Sequence, residues 1–109
     1  MSHSIEIQGG NFETEVLQSE VPVLVDFSAS WCGPCQKVAP LVHELAGEFA
    51  GRAKVATVDV DTNQDLAMRY GVMSVPTLMI VKGGEVVNKW IGFTSKQVMS
   101  DALETAIAS

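Results

Sequence analysis

Val21-Pro22-Val23-Leu24-Val25-Asp26-Phe27 leads through Ser28-Ala29 into Ser30-Trp31-Cys32-Gly33-Pro34-Cys35, and from there into Gln36–Phe49. The opening run is apolar on both faces except at Asp26, the pattern of a central strand covered from two sides. From Gln36 onward, Val38, Leu41, Val42, Leu45, Ala46 and Phe49 recur at a helical period. Pro40 falls inside this helix and predicts a kink, with the apolar stripe continuing in phase beyond it. The stretch therefore predicts a buried strand running into a helix. Both cysteines of the chain sit at the junction.

That junction has chemical consequences. Two cysteines separated by two residues can meet across one turn of backbone, so a small ring can open to a dithiol and close to a disulfide. The first turn of a helix carries unpaired N–H groups and a partial positive charge. A thiolate at Cys32 is stabilised there, which lowers its pKa and makes it a nucleophile near neutral pH. Cys35, a turn further in, is expected to be less exposed and to act as the resolving thiol. Pro34 suits the first helical turn, where a missing N–H is harmless, and it stiffens the loop. Gly33 lets a partner's backbone approach the sulfur. Two other readings exist for such a pair. Half of a zinc site is one, but zinc needs about four ligands. The chain has no second C-x-x-C, and its histidines, His3 and His43, stand at the N-terminus and well down the helix. Two inert, buried cysteines are the other.

The rest of the chain frames this unit. Ser4–Ile7 reads as a short edge strand, broken by Gly9-Gly10. Asn11 reads as the N-cap of a short helix through Leu17 that turns Phe12, Val16 and Leu17 to one side. Ala53–Val60 alternates and is rich in valine, so it reads as a strand. Asp61-Thr62-Asn63 can cap a short helix to Tyr70, which Gly71 ends. Thr77–Val81 and Glu85–Ile91 read as strands joined at Lys82-Gly83-Gly84, a tight hairpin. Thr94-Ser95 starts a last helix with Val98, Ala102, Leu103, Ala106 and Ile107 facing inward. Helices alternating with strands, then a hairpin and a helix, indicate an α/β fold. No repeat or linker interrupts it, so residues 1–109 read as one domain.

Composition narrows the function. The 109 residues carry a net charge of −6, and their seven basic residues are scattered, which disfavours nucleic acid as a partner. Hydrophobic residues make up 47%, which argues against disorder. No run is long enough to span a bilayer, and Met1–Glu6 lacks the charged and apolar regions of a signal peptide. The expected setting is the cytoplasm, where structural disulfides are rare and a C-x-x-C is more often catalytic. No Gly-rich nucleotide motif is present, so no bound cofactor is implied.

Trp31-Cys32-Gly33-Pro34-Cys35 resembles the active-site motif of the thioredoxin family. Phe12, Asp26-Phe27, Pro40, Val75-Pro76-Thr77, Gly84 and Gly92 extend the resemblance over nearly the whole chain. It implies the thioredoxin fold, a mixed central β-sheet with helices on both faces. It also implies a monomeric protein-disulfide reductase that takes electrons from a thioredoxin reductase and passes them to disulfide-containing proteins. In this reading Cys32 and Cys35 react, while Gly33, Pro34 and Pro76 tune the pair. Asp26, whose burial would raise its pKa, lies beneath Cys35 and helps move its proton. The Val75–Pro76 bond is expected to be cis and to pack against the disulfide, with the Val75 backbone pairing with an extended substrate. The docking surface comprises Trp31, Gly33, Pro34, Val60, Val75, Pro76, Ile91, Gly92 and Phe93. Three positions depart from the family pattern. Ser28 stands where a second tryptophan is frequent, Thr57 where many members have lysine, and Phe93 where a small residue is usual.

Overall fold

The computed structural model describes residues 4–109. His3, weighed above as a metal ligand, lies outside them. Five strands and three α-helices succeed one another: β1 (Ile5–Glu6), β2 (Val23–Ser28), α1 (Gly33–Glu48), β3 (Lys54–Asp59), α2 (Gln64–Arg69), β4 (Thr77–Lys82), β5 (Glu85–Ile91) and α3 (Lys96–Ala108). A 3-10 turn, Gly9–Asn11, and a π-helical turn, Glu13–Leu17, fill the gap between β1 and β2. The sheet order is β1-β3-β2-β4-β5, with β3 parallel to β1 and β2, and β4 antiparallel to β2 and β5. This is the α/β thioredoxin fold with a mixed five-stranded sheet.

Strand alternation explains the two cores. Successive side chains of β2 point to opposite faces. Leu24 joins Val38, Val42 and Leu45 of α1 and Met99 and Leu103 of α3 on one side of the sheet. Val23, Val25 and Phe27 join Ile7, Phe12 and Val16 on the other. The central strand is thus buried on both faces, as its composition predicts. Its bounds shift to Val23–Ser28, although Pro22 O still accepts from Lys54 N at 2.9 Å. Helix α1 begins earlier than the periodicity indicates, at Gly33, and runs without interruption through Pro40 to Glu48.

Other local expectations need correction. Asn11 does not cap the helix that follows it. Its side chain turns back instead, with Oδ1 accepting from Gln8 N at 2.9 Å and Nδ2 donating to Glu6 O at 3.2 Å. Phe12 takes the cap position with no side-chain bond. In α3 the inward stripe is Met99, Leu103 and Ala106, with Ala102 and Ile107 half-buried beside it. Val98 lies off the stripe and is exposed. Ser95 Oγ accepts from Val98 N at 3.2 Å, which identifies Ser95 as the N-cap. The hairpin is tight as expected. Lys82 pairs with Glu85 across Gly83 and Gly84, both at positive φ, where a side chain would be strained.

Candidate functional site

The sequence brings the two cysteines to the start of α1, and the backbone there explains their asymmetry. Cys32 is the N-cap residue, in extended conformation, with Gly33 and Pro34 in the first turn. Cys35 N donates to Cys32 Sγ at 3.2 Å, so the sulfur occupies the place that a capping oxygen usually fills. The two sulfurs form a disulfide, with the Cα atoms 5.3 Å apart. Cys32 N donates to Ala29 O at 3.2 Å, which closes the loop between β2 and α1. One expectation fails here: Cys35 is no more buried than Cys32, at 5% and 4% exposure. The difference between them lies in what each one faces.

Cys32 faces the loop before β4. The Val75–Pro76 peptide bond is cis, and Cys32 Sγ lies 3.6 Å from Val75 O. Val60 and Val75, both half-buried, pack with Ala29 and the two cysteines as a small apolar cluster. Pro76 is buried, and its carbonyl accepts from Gly92 N at 2.8 Å. That bond brings the end of β5 up to the cis loop. Gly92 adopts φ 94°, which a side chain would resist. Around this ridge, Trp31, Ile91 and Phe93 are 69%, 73% and 56% exposed. Large apolar side chains this open lie on the surface and not in a core. A Cβ built on Gly33 would meet only open space, so the fold's own packing does not demand glycine there.

Trp31 is held by a residue that sequence reasoning missed. Its Nε1 donates to Asp61 Oδ2 at 2.9 Å. Asp61 lies thirty positions away, so only the tertiary fold reveals the pair. A fixed indole beside the disulfide should report redox state. Reduction is expected to change the tryptophan emission, and Trp31→Phe to remove most of that change, with half-buried Trp90 as the background. An unaltered response in Trp31→Phe would mean that the signal arises at Trp90.

Asp26 is buried, at 3% exposure, and pairs in register with Thr57 on β3 and Leu78 on β4. By alternation it shares the face of Leu24, the face that α1 covers. Its Oδ1 has no hydrogen-bond partner among the described residues. Burial away from water pushes its carboxyl up to about 6. Thr57 brings no charge to it. Lys54 points to the other side of the sheet, where Nζ donates to Glu15 O at 3.3 Å. Among the described residues, no group of three or more His, Cys, Asp or Glu side chains comes together to hold a metal. No helix among them is long and apolar enough to cross a membrane.

Comparison with known proteins agrees with this geometry. The thioredoxin family model matches residues 3–105. The chain is 48% identical to thioredoxin 1 of Nostoc sp. over 104 residues, covering 95% of this chain and 97% of that protein. It is 44% identical to a thioredoxin of Synechocystis sp., again over 95% and 97% of the two chains. Against a thioredoxin of Haemophilus influenzae it is 41% identical, over 98% and 100%. With a disulfide-forming C-x-x-C at the start of α1 beside a cis-proline, the chain belongs to the thioredoxin family and is a thiol–disulfide oxidoreductase that reduces protein disulfides.

Proposed function

We propose that Cys32 is the attacking thiol and Cys35 the resolving one. Cys32 thiolate attacks a substrate disulfide, forms a mixed disulfide and expels one substrate thiol. Cys35 then attacks Cys32, releases the reduced substrate and leaves the Cys32–Cys35 disulfide. The observation that carries this reading is the position of Cys32 Sγ. It accepts the Cys35 amide at the helix start, and it lies 3.6 Å from Val75 O on the exposed apolar ridge. The helix start stabilises a thiolate there. The Val75 backbone, whose carbonyl lies 3.6 Å from Cys32 Sγ, pairs in this reading with an extended substrate segment. Gly33, Pro34 and Pro76 tune the redox pair. Trp31, Val60, Ile91, Gly92 and Phe93 complete the substrate face. Asp26, on the α1 side of the sheet, takes part in moving the Cys35 proton.

The protein works as a cytoplasmic monomer, with no nucleic acid or membrane as partner. A separate thioredoxin reductase returns it to the dithiol. Insulin reduction driven in parallel by NADPH-linked and ferredoxin-linked reductases tests this scheme and identifies the donor class. A binding module that merely held partners on the same ridge would show no turnover with either.

Phe93 should govern choice among protein substrates. Its ring adds apolar area to the ridge and also restricts what fits beside Gly92. Phe93→Ala is expected to change kcat/KM among protein substrates by about three- to tenfold, the scale of a partly buried side chain. Reduction of small disulfides should stay nearly constant. A uniform effect on both classes would place Phe93's role in the fold or at the sulfurs.

A further inference from the structure

Residues 71–75 bring the Val75 carbonyl to Cys32, yet they belong to no helix or strand. The segment leaves α2 at Tyr70 and ends at Pro76, just before β4. Strand β5 and the glycine that follows it hold both ends. At one end Gly92 N donates to Pro76 O at 2.8 Å. At the other, Lys89 Nζ donates to Tyr70 O at 2.8 Å. Strand alternation explains the reach of Lys89. It opposes Met79, which lies in the core with Phe12 and Val25, while Trp90 turns to the opposite core. Half-buried Tyr70 and Val72 pack on the core of Met79, so Lys89 rises on the side where α2 ends. The last carbonyls of a helix lack partners within it, and a lysine can supply one. A Cβ built on Gly71 would come 3.8 Å from Lys89 Nζ, so the ammonium lies against the turn that follows α2. Between the two clamps, Val72 N donates to Ala67 O at 2.9 Å and Thr77 Oγ1 to Ser74 O at 2.7 Å, while the Met73 side chain is 94% exposed.

We propose that Lys89 is a positioning residue for protein-disulfide reduction: its bond to Tyr70 O pins the end of α2 and so fixes the 71–75 segment on which a protein substrate docks. The inference rests on the reading that the Val75 backbone pairs with the substrate. A segment held at both ends has little freedom left to lose when a substrate strand pairs with it. Freed at Tyr70, it would have to be ordered at each encounter, and binding would weaken by that cost. A small disulfide needs the sulfur and not the backbone beside it, so its reduction does not draw on the clamp. The bond from Lys89 to Tyr70 itself involves neither sulfur.

The test uses Lys89→Met, which keeps an apolar stem and removes the ammonium, and Lys89→Arg, which keeps a donor for the carbonyl. Insulin reduction is followed at rising insulin concentration with dithiothreitol as the recycling reductant, so that no reductase has to dock on the same face. Lys89→Met is expected to raise KM about three- to tenfold, the scale of one solvent-exposed bond from a charged group, with kcat nearly unchanged. Lys89→Arg should restore most of the lost affinity. Oxidation of the reduced protein by bis(hydroxyethyl) disulfide should keep its wild-type rate in both variants. Amide hydrogen exchange of the free protein reads the clamp directly. In Lys89→Met, exchange at Tyr70, Gly71 and Val72, whose amides bond back into α2, should quicken about threefold or more, while β2 and β4 keep wild-type rates. Unmoved exchange would overturn the proposal and leave the Val75 reading standing, because the bond would not be fixing the segment. Quickened exchange with an unchanged KM would overturn it together with that reading, because proteins would then dock without the segment. Equal slowing of insulin and the small disulfide, or no rescue by Lys89→Arg, would also overturn it.

Discussion

Cys35→Ser is expected to accumulate covalent mixed disulfides with protein substrates, whereas Cys32→Ser accumulates few. Either substitution should lower protein-disulfide reduction at least about a thousandfold, because the covalent route is lost and not merely slowed. The direction of trapping follows from the backbone. Cys32 holds the N-cap position with its Sγ 3.6 Å from Val75 O of the cis loop, while Cys35 lies within the first turn. In the proposed scheme a protein substrate docked beside Val75 therefore meets Cys32 first. Gel analysis of adducts under non-reducing conditions checks this. Equal trapping by the two variants would refute the assignment, since it would mean that proteins reach both sulfurs alike.

The second large effect concerns stability and Asp26. Its carboxyl titrates near 6 in the folded protein against 3.8 in an unperturbed chain, and burial is the cause. Between those values the native state binds more protons than the unfolded state, so stability falls as pH rises through this window and levels off above it. A shift of that size corresponds to about 3 kcal/mol. Asp26→Asn should abolish this pH dependence. At pH 7 it should be more stable than the wild type by up to about 3 kcal/mol, less the cost of an amide with few partners. The same substitution should slow proton transfer at Cys35. Thr57→Lys, directly across from Asp26 in the β2–β3 register, should bring the carboxyl down as its ammonium reaches it. NMR titration of the Asp26 carboxyl carbon in wild type and Thr57→Lys, with denaturant melts across pH 4–8, measures both halves. A wild-type carboxyl titrating at the ordinary value would mean that another donor or cation has taken lysine's place.

How far the sequence reaches depends on the distance over which each feature is decided. The buried strand with its one carboxylate, the amphipathic α1 and the Gly83-Gly84 hairpin are local patterns, and they were legible residue by residue. The opposite facing of Lys54 and Thr57 follows from their odd spacing along one strand, because strand parity is rigid. The cis bond at Pro76 was not local information. Only the family resemblance indicated it, against a base rate that favours trans. Asn11 misled because an asparagine amide can cap forward or close a turn backward, and Gln8 and Glu6 decide between the two. The stripe of α3 slipped by one position, from Val98 to Met99, because propensity does not distinguish adjacent apolar residues at a helix edge. Asp61 joins the site through a contact made only when the start of α1 and the segment after β3 assemble. The equal burial of the two cysteines belongs to the same class, since walls from separate elements cover each of them.

The separation of only three positions between the bonded cysteines sets how each catalytic cycle affects the unfolded ensemble. Cross-linking restricts a denatured chain in proportion to the logarithm of the loop it closes. A ring this small removes roughly 2 kcal/mol of chain entropy, against about 4.7 kcal/mol for a loop of 100 residues. Oxidation and reduction therefore alternate between two covalent forms whose folding equilibria differ by about 2 kcal/mol on this count. A distant pair would make every turnover swing the molecule's resistance to unfolding more than twice as far.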